Sequence, residues 1–369
     1  MNFKGNFKLI YKLDWYIIKK FLGTYFFSIA LIIAISVIFD YNEHIDKLKD
    51  AAPSEILFDY YLNFIPYFAS LFSPLFVFIA VIFFTSKIAD GSEIIAMFST
   101  GVSFNRLLRP YMLSAAFIAL FNFALGSYVI PVGSRTRVAF TNKYFERNTS
   151  SLSASNIQIE VEPGVIAYMQ RYEDYNNTAY SFSLDKFEDK LLVSHMTART
   201  ATYDTVANGR FHWELRSYNI RNLSGNKEII TKGLSLDTVI KLEPSDFLVT
   251  EKQEETMTSP ELRKFIARQK ERGVGNVTDF QIEYNRRISM SFASFILTLI
   301  GVSLSSRKRK GGMGLYLAIG LGLSFGYILF QSITSTFAVS GAMSPFWAEW
   351  LPNIIFVPIA IYLYFKAPR

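Results

Sequence analysis

Few residues in this chain have the type and spacing that chemistry on a substrate requires. The three histidines, His44, His195 and His212, are scattered, and none belongs to an H-E-x-x-H pair or to another spacing typical of a metal site. The 369-residue chain has no cysteine, which excludes thiolate catalysis, disulfides and cysteine metal ligands. It also has no G-x-x-x-x-G-K-[ST] loop. We therefore expect no enzymatic activity, no metal and no cofactor of its own.

The clearest candidate for a functional element is the charged segment 85–110, "TSKIADGSEIIAMFSTGVSFNRLLRP", which lies between two apolar runs. It predicts a short helix that is capped by Asp90 or Ser92, carries Glu93 in its first turn and ends near Gly101. Four apolar residues follow helical spacing: Ile94, Met97, Phe98 and Val102. Such a helix can dock into a groove of a soluble partner or lie flat on a bilayer, and the pattern alone leaves both open.

Apolar blocks on both sides of this segment are long enough to cross a bilayer. They are grouped three and three, at residues 21–39, 60–86, 107–130, 288–304, 313–338 and 346–365. We expect Pro66 and Pro74 to kink the second span or delay its start, and the third span to end at Pro131. No predicted span carries a charged residue near its middle, which disfavours a proton-driven or ion-driven carrier.

The distribution of basic residues predicts the orientation of the spans. Residues 1–20 contain Lys4, Lys8, Lys12, Lys19 and Lys20, and the loop 305–312 contains "RKRK", so both should face the cytoplasm. No small-residue cleavage site follows a short apolar core, so we expect the N-terminus to be retained. The loop 40–59 is net acidic and should lie outside, together with the large region between the two groups of spans.

That middle region changes to short alternating runs from about residue 153 to residue 249, separated by turn sequences such as "EPG" and "ANG". The pattern predicts an inserted antiparallel β domain, jelly-roll-like, outside the membrane. We divide the chain into 1–135, with three spans, 136–255, the β domain, 256–284, a connector helix, and 285–369, with three spans. The connector is either a solvated amphipathic helix or one that lies on the membrane surface.

Glycines in the fifth predicted span include a pair at the spacing that lets membrane helices approach closely, Gly322 and Gly326. This face predicts either packing within the chain or a seam with a partner subunit.

Several strings in the chain resemble a known family when they are taken in order. Ser92, Glu93, Ile94, Met97, Ser99 and Gly101 match the motif S-E-[IL]-x-x-M-x-[AS]-x-G. This motif is similar to the coupling-helix segment of the LptF/LptG permease family, the membrane subunits of the lipopolysaccharide-export ATP-binding cassette transporter. The resemblance covers essentially the whole chain and includes "DWYIIKKFLGTYFFS", "SPELRKFIARQKERG" and "SPFWAEWLPNIIF". The strings "LDWYI" and "DKLKD" make it more similar to LptG than to LptF.

The resemblance implies a permease subunit that extracts lipopolysaccharide from the inner membrane of a Gram-negative bacterium and passes it to an LptC/LptA-type periplasmic bridge. It implies a heterodimer with a paralogous permease and a cytosolic LptB-type ATPase dimer that binds and hydrolyses the ATP. Both termini would be cytoplasmic and the β domain periplasmic. An alternative of another class is a structural or assembly protein whose β domain recruits partners without transport.

The resemblance also implies roles for particular residues. Within a coupling helix at about 88–102, Glu93 would anchor the ATPase and Ile94, Met97, Phe98 and Gly101 would shape the contact. Lys47 and Lys49 would bind the substrate at the outer end of span one, although Asp40, Glu43, Asp46 and Asp50 make this region acidic. Gly322 and Gly326 would lie at a packing face or lateral gate.

Overall fold

The computed structural model describes residues 12–145, 153–189, 191–204, 211–224, 227–247, 252–271, 277–306 and 312–367. Lys4, Lys8 and the basic block 307–310, on which the predicted orientation partly depends, lie outside the described residues. The chain divides into two compact units. One comprises Met1–Arg137 with Thr278–Arg369 and the other comprises Val138–Val277.

The first unit is helical. Before the insertion it contains α1 (Lys12–Leu48), α2 (Pro53–Glu55), α3 (Leu62–Leu71), α4 (Ser73–Asp90), α5 (Glu93–Ser99), α6 (Phe104–Ala124) and α7 (Ile130–Tyr144), the last of which ends in the second unit. Within the described residues, six helical segments are long and apolar enough to cross a membrane, three before the insertion and three after it. They are Lys12–Leu48, Ser73–Asp90, Phe104–Tyr144, Thr278–Ser305, Gly314–Val339 and Pro345–Lys366. The predicted three-plus-three arrangement is therefore confirmed.

The second span begins late, as its prolines predict. A π-helical turn, Ile56–Tyr61, leads into α3, which ends at Leu71. The backbone leaves helical geometry at Phe72, and α4 starts with Pro74 in its first turn, where a missing amide hydrogen costs no helical hydrogen bond. The apolar run is thus divided, and α4 is its membrane-spanning part.

The third span, in contrast, does not end at Pro131 as the sequence predicted. The chain remains helical from Phe104 to Tyr144, with a π-helical turn at Leu125–Val129. This wider turn lies directly before Pro131, where an ordinary α-turn would place the proline ring against a carbonyl of the preceding turn. The helix therefore continues past the proline through a basic and polar stretch.

The second unit contains the predicted antiparallel β domain. Its strands are β1 (Ser153–Glu162), β2 (Val165–Glu173), β3 (Thr178–Glu188), β4 (Leu191–Tyr203), β5 (His212–Ser224) and β6 (Lys227–Val239). They form a six-stranded sheet in the order β1-β2-β3-β4-β5-β6, and every neighbouring pair is antiparallel. Each strand therefore pairs with the strand that follows it in the chain.

One transverse row of this sheet breaks the usual alternation of side chains. The row, which we call the offset row, consists of Asn156, Gln170, Ser181, Arg199, Ser217 and Leu234, one residue from each strand. Its members on β1, β3 and β5 have positive φ angles of 53°, 52° and 52°. Buried residues on the two sides of the row are three apart, as with Met169 and Tyr172 or Ala198 and Ala201. The side chains on the two sides of the row therefore point to the same face of the sheet, which is buried in β2, β3 and β4 around the row.

The buried face of the sheet packs under the segment that follows β6. Trp213 donates its indole N–H to the carbonyl of Leu242 at 2.9 Å, and the rings of Tyr172 and Phe247 meet edge to face. After α8 (Gln253–Thr256), the predicted connector helix is α9 (Ser259–Glu271). Its Gln269 amide donates to the Asp246 carbonyl at 3.0 Å, so α9 packs within this unit.

The helices after the insertion return to the first unit. They are α10 (Thr278–Ser305), α11 (Gly312–Val339) and α12 (Pro345–Lys366). The centre of the unit is α4, whose Phe76, Val77 and Phe78 are fully buried. Among the six candidate spans, α1 and α11 have the smallest buried share in their most apolar 18-residue stretch, at 17% and 28%. Both therefore present an apolar surface that the described residues leave uncovered.

Candidate functional site

The predicted coupling helix is α5, seven residues long, and its two ends are sharply defined. Ser92 occupies the N-cap position, but with a left-handed backbone (φ 62°) instead of the extended geometry of a usual side-chain cap. At the other end, Gly101 (φ 88°) donates to the Phe98 carbonyl and Val102 donates to the Met97 carbonyl. This is the Schellman arrangement, in which a glycine with positive φ ends the helix. The helix therefore begins at Glu93 and ends where the sequence predicts.

The apolar residues of α5 are divided between two faces. Ile94 is 1% exposed and belongs to the core that α4, α6 and α10 share, while Met97 and Phe98 are partly buried against that core. Glu93 and Gly101 are exposed, and so is Ile95, at 50%. Of the five predicted coupling residues, Ile94 thus fixes α5 to the helical core. Ile95, which was not among them, is the large apolar residue that α5 exposes.

Two contacts join this region to the start of α1. The Glu93 carboxylate interacts with the side chain of Tyr16, on the second turn of α1. Close by, both carboxylate oxygens of Asp14 accept from the guanidinium of Arg106, with 2.7 Å between Nη2 and Oδ2. Sequence reasoning missed this pair, and an aspartate at the edge of an apolar span was the signal for it.

The predicted substrate lysines lie at the opposite end of α1. Lys47 is exposed in the last turn of the helix, and Lys49 follows it with a hydrogen bond to Asp46. This hydrogen bond and the negative charge of Asp46 raise the pKa of the Lys49 ammonium group. Asp40, one of the acidic neighbours, accepts from the hydroxyls of Tyr60 and Tyr61 at 3.1 Å each. That carboxylate thus ties α1 to the π-helical turn before α3.

The predicted packing glycines lie on the uncovered face of α11. A methyl group added at Gly322 or at Gly326 would meet no atom within 4 Å. Close packing within the chain instead involves Gly320, where a methyl carbon would lie 2.1 Å from Ile82 Cδ1, and Gly301, where it would lie 2.6 Å from Val81 Cγ1. Among the described residues, nothing therefore packs closely against the predicted pair.

Comparison with known proteins agrees with this arrangement of helices and sheet. The family model described as "Lipopolysaccharide export system permease LptF/LptG" matches residues 15–366. The match includes all six spans, α5 and the inserted sheet.

The chain belongs to the LptF/LptG permease family.

One relative is the lipopolysaccharide export system permease protein LptG of Haemophilus influenzae (strain ATCC 51907 / DSM 11121 / KW20 / Rd). It is 22% identical over 366 residues, which cover 95% of this chain and 97% of the relative. The similarity to an LptG agrees with the LptG-like strings of the sequence. Membership of the LptF/LptG family indicates a permease for lipopolysaccharide export.

This LptF/LptG permease also has a buried polar cluster that the sequence did not predict. Glu349 on α12 is fully buried, and its carboxylate accepts from Gln331 Nε2 at 2.8 Å and from Ser335 Oγ at 2.6 Å, both on α11. One turn further along α12, the Asn353 amide donates to Ser289 of α10 and accepts from the Tyr327 hydroxyl. The cluster joins three helices by hydrogen bonds. A glutamate inside an apolar span was the signal for it.

Within the described residues, no group of three or more His, Asp or Glu side chains is arranged to hold a metal ion. The His195 imidazole pairs with Asp185 across β3 and β4, and His44 lies beside Asp40 one turn earlier on α1. These contacts are those of structural histidines. The site residues predicted from the sequence lie instead on α5, at the C-terminal end of α1 and on the exposed face of α11.

Proposed function

We propose that this chain is one permease half of an ATP-binding cassette transporter that extracts lipopolysaccharide from the inner membrane and passes it to a periplasmic bridge. A separate cytosolic ATPase dimer supplies the energy, and a paralogous permease completes the membrane part. The proposal rests on the family membership, the six apolar helices and the inserted sheet. The observation that carries the coupling role is the two-faced packing of α5.

A coupling element must transmit force, so it must be fixed to its own subunit and still present a free surface. Burial of Ile94 in the helical core meets the first requirement. The exposed carboxylate of Glu93 and the exposed side chain of Ile95 meet the second. An acidic residue beside an apolar one suits a groove that has a basic rim and an apolar floor. In this proposal Met97, Phe98 and Gly101 shape α5, and Glu93 and Ile95 contact the ATPase.

The proposed orientation follows the charges of the loops. Basic residues at the start of α1 and before α11 favour the cytoplasmic side, and that assignment puts α5 in the cytoplasm as well. Both termini are then cytoplasmic and the sheet is periplasmic. The outer end of α1, with Lys47 and Lys49, comes to the headgroup level of the outer leaflet. At that level the ammonium groups of Lys47 and Lys49 can bind lipopolysaccharide phosphates.

The open faces of α1 and α11 suit a two-subunit membrane complex. Small residues such as Gly322 and Gly326 allow a second helix to approach closely, and the structure leaves the space beside them open. We place the paralogous permease along the open face of α11, where the two subunits would form a lateral gate for the lipid. Alternating small and large apolar residues on α11 would then contact the partner helix and the acyl chains.

The charge reversal Glu93→Lys tests the docking role. In proteoliposomes with the second permease and the ATPase, we expect its affinity for the ATPase to fall about tenfold or more, because an acidic contact is replaced by a repulsive one. The matched control is Glu188→Lys, at an exposed residue of β3 that pairs with Lys186. We expect this variant to bind the ATPase as the wild type does. Affinity is measured by titration with the ATPase, and export by ATP-driven lipid release.

Normal ATPase binding and lipid release by Glu93→Lys would show that the docking assignment is wrong. Photocrosslinkers along α1 and α11 and inside the sheet test transport itself. A wild-type complex that neither hydrolyses ATP nor crosslinks to lipopolysaccharide would favour the structural or assembly role instead.

A further inference from the structure

The pair Asp14–Arg106 is a two-fold ionic contact at the start of α1. Asp14 lies in the first turn of the helix with only 5% of its side chain exposed, and Arg106 is 26% exposed. Two parallel N–H···O bonds join them across 92 positions of the chain. A bidentate guanidinium–carboxylate pair fixes the relative direction of the two side chains as well as their distance. A movement of the start of α6 should therefore also move the start of α1.

The start of α6 is itself fixed to the end of α5. A turn of four residues, 100–103, separates the two helices, and it contains the backbone hydrogen bonds of Gly101 and Val102. Ser103 caps α6 and accepts from the backbone N–H of Arg106 at 3.3 Å. Arg106 thus lies in the first turn of a capped helix. A displacement of α5 must move this turn, and Arg106 with it.

Most of the buried residues of α1 lie in the half of the helix that begins with Asp14. The buried residues of α1 are Asp14, Ile17, Phe21, Tyr25, Ile33 and Leu48. The first four follow one another at intervals of three or four, so one face of the first half of α1 is packed. Beyond Tyr25 the helix exposes Phe27, Ile38 and Phe39. The second half of α1 therefore has fewer internal contacts to hold it in place.

We propose that Asp14–Arg106 transmits movements of α5 to α1, so that a change at the ATPase surface reaches the helix whose open face and outer end meet the lipid. This inference rests on the proposed function. The Tyr16 side chain also lies close to the Glu93 carboxylate of α5. Through the ion pair, α1 and the α5–α6 segment respond to the ATPase as one body. Asp14 and Arg106 act as positioning residues and need not touch the lipid.

The test uses the whole complex in proteoliposomes and compares lipopolysaccharide released per ATP hydrolysed. Asp14→Asn and Arg106→Gln should keep complex formation and ATP hydrolysis, but the released lipid per ATP should fall about fivefold or more. The exchange Asp14→Arg with Arg106→Asp should restore much of that ratio. Arg109→Gln is the matched control, because Arg109 is exposed on the same helix one turn away, and its ratio should equal the wild type.

A second measurement does not depend on transport. The chain has no cysteine, so two pairs of spin labels, one on α5 and α10 and one on α1 and α10, can be introduced separately without a background signal from this chain. In the wild-type complex the distance within each pair should change on ATP binding. In Asp14→Asn the α5 change should persist and the α1 change should be lost.

The outcomes separate this inference from the proposed function. A wild-type complex that does not assemble or release lipid contradicts the proposed function. An active wild type with an unchanged ratio and an unchanged α1 response in both single variants overturns the role of the pair. A variant that loses thermal stability but keeps the wild-type ratio also overturns it, because the pair is then only structural.

Discussion

Ile94 and Ile95 are adjacent residues of the same type, and the structure places them in opposite environments. Ile94 is 1% exposed in the core of the helical unit, whereas Ile95 is 50% exposed on the outer face of α5. Neighbouring positions on a helix are about 100° apart, so one side chain can point inward while the next points outward. The pair therefore separates the face that anchors α5 from the exposed face to which we assign the ATPase contact.

Truncation of each isoleucine should produce a different defect. Ile94→Ala removes a buried side chain and should reduce the free energy of unfolding by about 2–5 kcal/mol. Ile95→Ala should leave unfolding nearly unchanged but weaken ATPase binding by about 1 kcal/mol or more, as expected for an apolar contact at an interface. Thermal unfolding of the solubilised permease and titration with the ATPase measure the two effects. Equal effects of both substitutions on stability would contradict the division of faces.

Glycine substitutions should distinguish packing inside the chain from packing against a second subunit. Gly301→Ala places a methyl carbon 2.6 Å from Val81 Cγ1 and 3.2 Å from Val81 Cβ. The helices α10 and α4 must therefore move apart. We expect a loss of about 1–3 kcal/mol in unfolding free energy. Gly322→Ala meets no atom within 4 Å and should not destabilise the isolated subunit. Thermal midpoints in detergent compare the two, and an equal decrease would mean that the face at Gly322 is covered within the chain.

Replacement of Glu349, the buried carboxylate of α12, should lower the stability of the permease by an amount that depends on the new residue. Glu349→Leu leaves the Gln331 amide without its acceptor, at about 1–3 kcal/mol for a buried donor, whereas the Ser335 hydroxyl keeps the Gln331 carbonyl as an acceptor at 2.9 Å. Glu349→Gln keeps one carbonyl oxygen for Gln331, and the Ser335 hydroxyl can rotate to accept from the new amide. We therefore expect the glutamine variant to be the more stable in thermal unfolding. The reverse order would mean that the hydrogen bonds do not determine the role of this residue.

The offset row should be sensitive to the shape of its residues. Ser217 has φ 52°, a left-handed conformation that costs an L-residue about 1–2 kcal/mol and is worse for β-branched side chains. Ser217→Gly should keep or slightly increase the stability of the sheet, and Ser217→Val should decrease it. Hydrogen exchange of β4, β5 and β6 in the full chain reports the change. Ser183→Val, at an ordinary strand position, is the control and should be tolerated, because β-branched residues suit extended backbone.

The features that the sequence predicts correctly are those with a local cause. Spans are recognised from twenty apolar residues, and the late start of the second span follows from the chemistry of Pro74. The end of α5 at Gly101 is equally local, because glycine tolerates the positive φ that ends a helix. The extension past Pro131 was missed because the π-helical turn that accommodates the proline has no simple sequence signature.

Other features depend on contacts between distant parts of the chain. The buried side of α5 cannot be read from two adjacent isoleucines, since α4, α6 and α10 decide which of them is covered. Asp14 and Arg106 meet only after the first three spans have packed.

The offset row has a consequence for how the β domain can change in length. Since all six strands shift their alternation at the same row, a residue inserted or deleted within one strand would turn half of that strand inside out relative to its neighbours. The apolar side chains of that half would face water and polar ones would enter the core. Changes in length should therefore be confined to the hairpin turns, and the distance from turn to row should be the most restricted dimension of the sheet.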